Sequence, residues 1–359
     1  MGLIRLILAI GVVFSHSGSV WGYTTIGGSI AVQAFYIISG FYIALILNEK
    51  YVGNNGSYKL FISNRFLRLY PIYWIVLLLT FLSAFAFSQL DMYQYVNSYS
   101  MFQKYSDAMD IGTLLFMIFT NVFLFFQDVV MFLGFDKADG SLFFTADFHQ
   151  TNPKLYYFLF VAQAWSIGIE VMFYLIAPFL AKRSLKIIIL ILISSFALRM
   201  VIYYHFNLQH DPWSYRFFPT ELLFFLLGII AYRIYTILKE KQLNNIFLKS
   251  VFIAVVAFSL MYRYITIPGK MTLYLLLFFS ALPFIFILSK NWKTDRQLGE
   301  LSYPIYISHI FILSWVGALQ IKSGSWRTVI VILLSVLFAY LLNIFVGNKI
   351  EKFRQSRVK

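Results

Sequence analysis

Residues 3–17 read LIRLILAIGVVFSHS, and residues 28–47 read GSIAVQAFYIISGFYIALIL. The first run places Arg5 and His16 in otherwise apolar sequence, and the second carries Ser39-Gly40-Phe41. A basic connection ending in Arg65, Arg68 and Pro71 follows. On a helix, His16 lies about 20° past three full turns from Arg5 and about 16 Å further along the axis. A guanidinium and an imidazole sharing one face inside hydrocarbon are costly unless they find partners or line a cavity. Two readings stand for Arg5: a functional group, or an anchor at the helix end that snorkels to headgroups. His16 is either a functional group or a hydrogen-bonded structural histidine.

Composition makes these runs membrane spans. Of 359 residues, 60% are hydrophobic and only 12% charged, with a mean hydropathy of +0.75. Soluble chains are about 25% charged. A chain this apolar buries its surface by crossing a bilayer repeatedly, at about 20 residues per crossing. The 40 Phe and 25 Tyr suit packed membrane helices and interfacial belts. The net charge of +14 does not indicate nucleic acid, because the basic residues sit in short connections between apolar runs. That is the positive-inside pattern, and such a surface attracts anionic lipid or an anionic cofactor. Cysteine is absent, which excludes disulfides, thiolate metal sites and cysteine nucleophiles. No H-E-x-x-H, carboxylate cluster, phosphate-binding loop or dinucleotide fingerprint occurs, so no metal is expected. The N-terminal run has no small-residue cleavage site after it and is not read as a signal peptide.

The apolar runs fall at 3–19, 28–47, 70–87, 111–135, 156–180, 185–203, 217–235, 247–264, 271–288, 298–318 and 328–345. Lys50, Lys59, Arg65 and Arg68 mark one connection as cytoplasmic. So do Lys182, Arg183 and Lys186, the run 233–249, Lys290, Lys293 and Arg296, and the tail from Lys349. Connections 91–110 and 205–211 are acidic or nearly neutral and read as external. The two sets alternate correctly except between residues 88 and 156, where one crossing breaks the parity. The run 111–135, interrupted by Asn121, Gln127 and Asp128, is therefore expected to form a hairpin or re-enter, since irregular backbone is tolerated at membrane depth under protein cover. The expectation is an all-α polytopic membrane protein with about ten transmembrane helices plus this irregular segment. Both termini are expected in the cytoplasm, and residues 1–359 are read as one membrane domain without a separate soluble domain. Glycines 27, 28 and 40 suit close helix packing or helix starts.

Three further buried candidates need partners. Glu170, within WSIGIE at 165–170, would ionise only beside an arginine or histidine from another helix, as a functional group or a structural ion pair. His309, within SYPIYISH at 302–309, is placed near the bilayer midplane, with Pro304 distorting the first turns. A hydrogen-bonded core histidine and a substrate contact fit it equally. Glu221, just after Pro219, reads as a first-turn helix charge. Arg65 and Arg68 share a helix face and either anchor the span or grip phosphate, which arginine forks do well.

At these residues the chain resembles the membrane-bound acyltransferase-3 family, which includes bacterial O-antigen, exopolysaccharide and Nod-factor O-acetyltransferases. Arg5 and His16 match its arginine, ten residues, histidine opening. Ser39-Gly40-Phe41 matches its Ser-Gly-Phe element, and Arg65, Arg68 and Pro71 its basic connection. Trp165, Ser166, Glu170, Phe173, Tyr174 and Pro178 match its W-S-x-x-x-E element, and Leu298, Gly299, Ser302, Tyr303, Tyr306 and His309 its late element. The acidic residue many members carry before the first arginine is absent, and Pro304 stands where a small residue is common.

The resemblance implies transfer of an acyl group, most often acetyl, from cytoplasmic acyl-CoA to a hydroxyl of a cell-surface or lipid-linked saccharide. It implies His16 as general base, with Arg5 and Glu170 in the catalytic set and Glu170 orienting His16 or pairing with Arg5. Arg65, Arg68 and Ser39 fall to the cofactor. Trp165, Tyr306 and His309 fall to the acceptor, with Ser39 also an oxyanion contact. The implied setting is the bacterial inner membrane, with acyl-CoA, saccharide and membrane lipids as partners, no nucleic acid, and a homodimer allowed. A transporter or flippase for a glycolipid or small metabolite is the alternative, since it too would need many spans and buried charges.

Overall fold

A computed structural model describes residues 1–53, 56–92 and 98–358. The described residues are all-α apart from one short hairpin. Its helices are α1 (Gly2–Ser17), α2 (Gly28–Glu49), α3 (Tyr58–Gln89), α4 (Ser98–Tyr105), α5 (Ile111–Phe123), α6 (Trp165–Leu180), α7 (Leu185–Met200), α8 (Phe218–Leu238), α9 (Asn245–Met261), α10 (Lys270–Ser289), α11 (Lys293–Ala318), α12 (Ser325–Leu342) and α13 (Asn348–Ser356). Among the described residues, nine helical stretches are long and apolar enough to cross a membrane, and α1 and α5 are shorter apolar helices. The protein is therefore a multi-pass membrane protein.

Burial ranks the helices. In α2, 72% of the apolar window is buried inside the bundle, against 22% in the stretches beginning at Leu185, Asn245 and Ser325. The latter three form the rim, where Leu190, Ile253 and Leu333 face outward. At the centre α2 crosses α8 with their backbones touching: a Cβ on Gly40 would lie 2.0 Å from the Phe225 carbonyl oxygen, and one on Gly228 would lie 2.1 Å from that of Ile37. Gly40 thus serves close packing, as expected. Phe225 stacks on Phe173 of α6 at 4.2 Å and on Tyr36 of α2 at 4.6 Å, tying three helices together. Gly2 and Gly299 let α1 and α11 approach in the same way. Asp295 of α11 caps α1 from outside, accepting from the Gly2 and Leu3 amides at 2.7 and 2.9 Å.

The connections sort to two ends. At one, Arg233 meets the Arg183 carbonyl, Tyr232 donates to Glu49, and Arg354 donates to the Asn64 carbonyl. The basic connections and both chain ends gather there. At the other, the Asp110 amide donates to Gly140, Trp213 to Ala146 and Tyr264 to Gly22. This is the grouping that charge parity requires.

The parity conflict is resolved by a re-entrant segment. Asp110 caps α5 through the Thr113 amide at 2.6 Å. At 13 residues α5 is only about 20 Å long, too short to cross. Its last turn ends against Tyr70, Tyr73 and Trp74, partway along α3, which donate to the carbonyls of Phe123, Asn121 and Val122. Leu124 and Phe126 take positive φ, and the chain turns back. It reaches an antiparallel hairpin, β1 (Leu133–Phe135) and β2 (Leu142–Phe144), at the end it came from. Asn121 stabilises the return, bonding the carbonyl of Phe158 and the amide of Phe160. The span expected at 156–180 is present but starts later, as the apolar helical stretch Ala162–Leu180. Residues 155–164 form 3-10 turns and extended backbone, and α6 begins only at Trp165. Pro304 does not break α11, which runs unbroken from Lys293 to Ala318.

With cysteines introduced singly into this cysteine-free chain, Lys104→Cys and Gln150→Cys are expected to react with a membrane-impermeant maleimide from one side, and Lys241→Cys from the other. Labelling of residues 104 and 150 from opposite sides would rule out the re-entrant path.

Candidate active site

The basic end opens into a cavity of about 470 Å³ between α1, α3, α11 and α13. Arg5, Arg68, Lys290, Arg296 and Arg354 line it. Arg5 and Arg68 make no hydrogen bond or ion pair within the described residues. Arg65 is buried at 7% exposure and reaches the Tyr51 hydroxyl, while its Nε has no acceptor. Asp295, Glu300 and Glu351 also line the cavity, but Asp295 pairs with the N-terminus and Glu351 with Arg354. Arg5, Arg65 and Arg68 therefore have no direct ion-pair partner among the described residues, and buried guanidinium groups left so are costly.

Deeper in, a neck of about 90 Å³ shares Arg5, Tyr42, Arg68 and Tyr303 with the mouth. Glu170 of α6 and Ser39 of α2 face each other across it, and Ser39 Oγ donates to Glu170 Oε1 at 2.5 Å. Tyr174, one turn on from Glu170, donates to the same oxygen at 2.5 Å. The expected partner of Glu170 is corrected: two hydroxyls hold it, and it forms no salt bridge with Arg5 or contact with His16. Arg5, Arg65 and Arg68 line the same neck, so the carboxylate sits in a cationic field.

Tyr306 and Val32 belong to both the neck and a third chamber of about 420 Å³ towards the opposite end. Tyr306 forms the partition. Its hydroxyl donates to the Gln163 carbonyl at 2.9 Å and accepts from Ser166 at 2.5 Å.

His16 lines this outer chamber. It lies within the bundle yet is exposed, because the chamber opens onto it. Its ring stands 4.9 Å from that of His309, which is fully buried. Fourteen residues C-terminal to Asp295 on α11 (Lys293–Ala318), His309 lies nearer the hairpin end than the midplane position expected from sequence. The partners assign the protons. His309 Nδ1 faces the Tyr306 carbonyl at 2.6 Å, so it carries hydrogen and leaves Nε2 as an acceptor. That Nε2 lies 3.2 Å from His16 Nδ1, which also faces the Val12 carbonyl at 3.0 Å. With two acceptors before it, His16 Nδ1 is the protonated nitrogen. The neutral imidazole then keeps its Nε2 lone pair free.

The chamber wall opposite contains residues that sequence reasoning misses. Arg216 lies over Trp165 at 4.2 Å and Tyr215 at 4.7 Å. Asp211 holds it in a bidentate pair at 2.5 and 2.9 Å. Burial opposes the charge on Arg216, but Asp211 outweighs it and holds the guanidinium above its ordinary value. Burial also pushes the Tyr215 hydroxyl up to about 12, so it stays protonated and donates to Asp211 at 2.9 Å. The spacing Asp211 to Arg216 was the available signal, in a connection read only for its side of the membrane.

Glu221 is also corrected. It occupies the first turn of α8 as expected, but it is fully buried and paired with Arg199 at 2.8 Å, with Gln33 donating at 3.1 Å. Arg199, a charge in an apolar run, carries the same signal as Arg5 and is missed.

The structure thus brings Arg5, Arg65, Arg68, Ser39 and Glu170 together around mouth and neck, and His16, His309, Tyr306 and Trp165 around the outer chamber. Among the described residues no group of three metal-ligating side chains forms. No curated protein and no solved structure matches the chain. The acyltransferase-3 family model, described as an acyltransferase domain, matches residues 1–344 and so covers every one of these side chains except Arg354. The chain belongs to the acyltransferase-3 family and is a membrane-embedded acyltransferase.

Proposed function

We propose that the protein transfers an acyl group, most simply acetyl, from cytoplasmic acyl-CoA to a hydroxyl of a saccharide or lipid-linked saccharide presented at the opposite face of a bacterial inner membrane. The observation that carries this reading is the succession of mouth, neck and chamber, with guanidinium groups that have no direct ion-pair partner at one end and a histidine pair at the other. Arg65, Arg68 and Arg5 would take the phosphates of the donor. The acyl-bearing arm would thread the neck past Ser39 and Glu170 towards Tyr306. The two chain ends would then lie in the cytoplasm, and residues 1–359 would act as one catalytic domain.

In the transfer step His16 Nε2 accepts the acceptor's hydroxyl proton as that oxygen attacks the thioester carbonyl. The new C–O bond forms, the C–S bond breaks, and the proton passes from His16 to the departing thiolate. His309 acts through His16, holding its Nδ1–H in place so that Nε2 stays the basic nitrogen. Arg5 and Glu170 belong to the donor side of the partition and would steer the arm. The Trp165–Arg216–Tyr215 wall offers ring faces and polar edges to a sugar. Asp211 neutralises Arg216, which favours an uncharged acceptor over an acidic one.

The same succession of cavities would suit a carrier. Purified protein incubated with acetyl-labelled acetyl-CoA and candidate glycans separates the two. Label is expected to appear covalently on glycan, with free CoA released in equal amount. Glycan movement across proteoliposomes without label transfer would support the carrier.

A further inference from the structure

The family match ends at residue 344, but the basic mouth is not complete there. After α12 the helix continues through a π-helical stretch, Asn343–Gly347, into α13. α13 folds beneath the bundle onto the start of α3. Arg357 anchors it, donating to Asn64 Oδ1 and Ser63 Oγ at 2.8 Å each. Arg354 is buried at 7% exposure, and its Nε donates to the Asn64 carbonyl at 2.8 Å. One of its terminal nitrogens meets Glu351, and the other has no partner among the described residues. Arg354 lines the large mouth cavity and also a smaller one of about 120 Å³, where it joins Arg65, Arg68 and Lys50.

Four cations thus converge on a small space that contains one carboxylate, Glu351, already paired to Arg354. Arg65 adds a second, independent sign: a side chain more than nine-tenths buried whose Nε has no acceptor. Like charges brought this close repel unless a counter-charge lies between them. Planar guanidinium forks from two elements suit a tetrahedral oxyanion better than a single carboxylate.

We infer that α13 completes a phosphate site, with Arg354 binding a phosphate or diphosphate group together with Arg65 and Arg68, and Glu351 and Asn64 positioning its guanidinium. The ligand class deepens the function proposed above, where this group is borne by the acyl donor. The site itself is tested without that assumption.

The test uses the full chain, purified in uncharged detergent and titrated calorimetrically with inorganic pyrophosphate and, separately, with acetyl-CoA. Lys352→Gln removes the same charge from the exposed face of the same helix and serves as the control. Arg354→Gln is expected to weaken pyrophosphate binding at least about tenfold, and Lys352→Gln less than about twofold. Wild-type protein that binds no pyrophosphate, or equal weakening by the two substitutions, overturns the inference. If Arg354→Gln does not accumulate, Arg354→Lys is measured instead. It keeps the charge and loses the fork, so weakening is expected, and wild-type affinity overturns the inference.

The acetyl-CoA titration separates the two proposals. Arg354-dependent pyrophosphate binding without acetyl-CoA binding leaves the site standing and removes the donor. Unchanged affinity of Arg354→Gln for both pyrophosphate and acetyl-CoA removes the site and leaves the donor. Repeating the titration in nanodiscs containing phosphatidylglycerol identifies the source. Loss of pyrophosphate binding there marks the occupant as a lipid phosphate, and its retention as a soluble one.

Discussion

His16→Ala is expected to lower the turnover of acyl transfer about 10²–10⁴-fold, the usual share of a positioned general base, equivalent to about 3–5 kcal/mol of barrier. The donor KM should stay within about twofold, because the substitution removes an interaction made only in the transition state. The geometry supports this split. His16 faces the 420 Å³ chamber, whereas the arginines lie beyond Tyr306 in the neck and mouth. The lost ring donates only to Val12 within its own helix and to His309, so the fold loses little. His309→Ala should give a smaller fall in turnover with the donor KM again unchanged, since it frees the ring of His16 without removing its Nε2. Initial rates at varied acetyl-CoA concentration read both parameters. Full activity in His16→Ala would refute the mechanism, and a raised KM with unchanged turnover would move His16 to donor binding.

The charges that sequence exposes and those it hides differ in kind. Arg5, His16 and Glu170 stand alone in long apolar runs, where any ionisable group demands an explanation. Their helical spacing also orders them along the bundle axis. Sequence cannot show which of them meet. Glu170 reads as one half of an ion pair because a lone buried carboxylate needs a cation, but Ser39 and Tyr174 satisfy it with hydroxyls, one from a helix 131 residues earlier in the chain. His16 reads as a functional group or a hydrogen-bonded structural histidine, with Glu170 one of its candidate partners, and it meets a second histidine from α11.

Arg354 is legible only as topology, one of five basic residues in the tail. That α13 turns under the bundle depends on Arg357 reaching Asn64 and Ser63, nearly 300 residues away. The stretch 133–164 fails for another reason. Its strands and 3-10 turns span three or four residues each, too few for period-2 or period-3.6 patterning to emerge. The re-entrant path was still recoverable from charge parity, because parity depends on where the chain emerges and not on its conformation between.

Arg199→Ala is expected to cost about 3–5 kcal/mol and to prevent normal accumulation, a larger stability effect than any substitution in the mouth. Arg199 Nη1 meets Glu221 Oε1 at 2.8 Å, with side-chain exposures of 8% and 0%. Its other terminal nitrogen donates to the Ser214 carbonyl at 2.5 Å, and its guanidinium lies over Tyr203 and Phe224 at 5.1 and 5.5 Å. One side chain therefore fastens α7, a rim helix with few buried residues, to α8 and to the loop that carries Asp211 and Arg216. Removing it leaves Glu221 buried with only Gln33 as a donor. If the penalty comes from that stranded carboxylate, replacing the whole polar group should relieve it. Gln33→Leu, Arg199→Met and Glu221→Leu combined should be more stable than Arg199→Ala alone, although the triple variant removes more hydrogen bonds. Thermal unfolding in detergent, followed by monodisperse elution, orders the variants. If the triple variant proves the less stable, the hydrogen bonds themselves hold α7 in place. If Arg199→Ala unfolds at the parent temperature, the pair contributes nothing to stability.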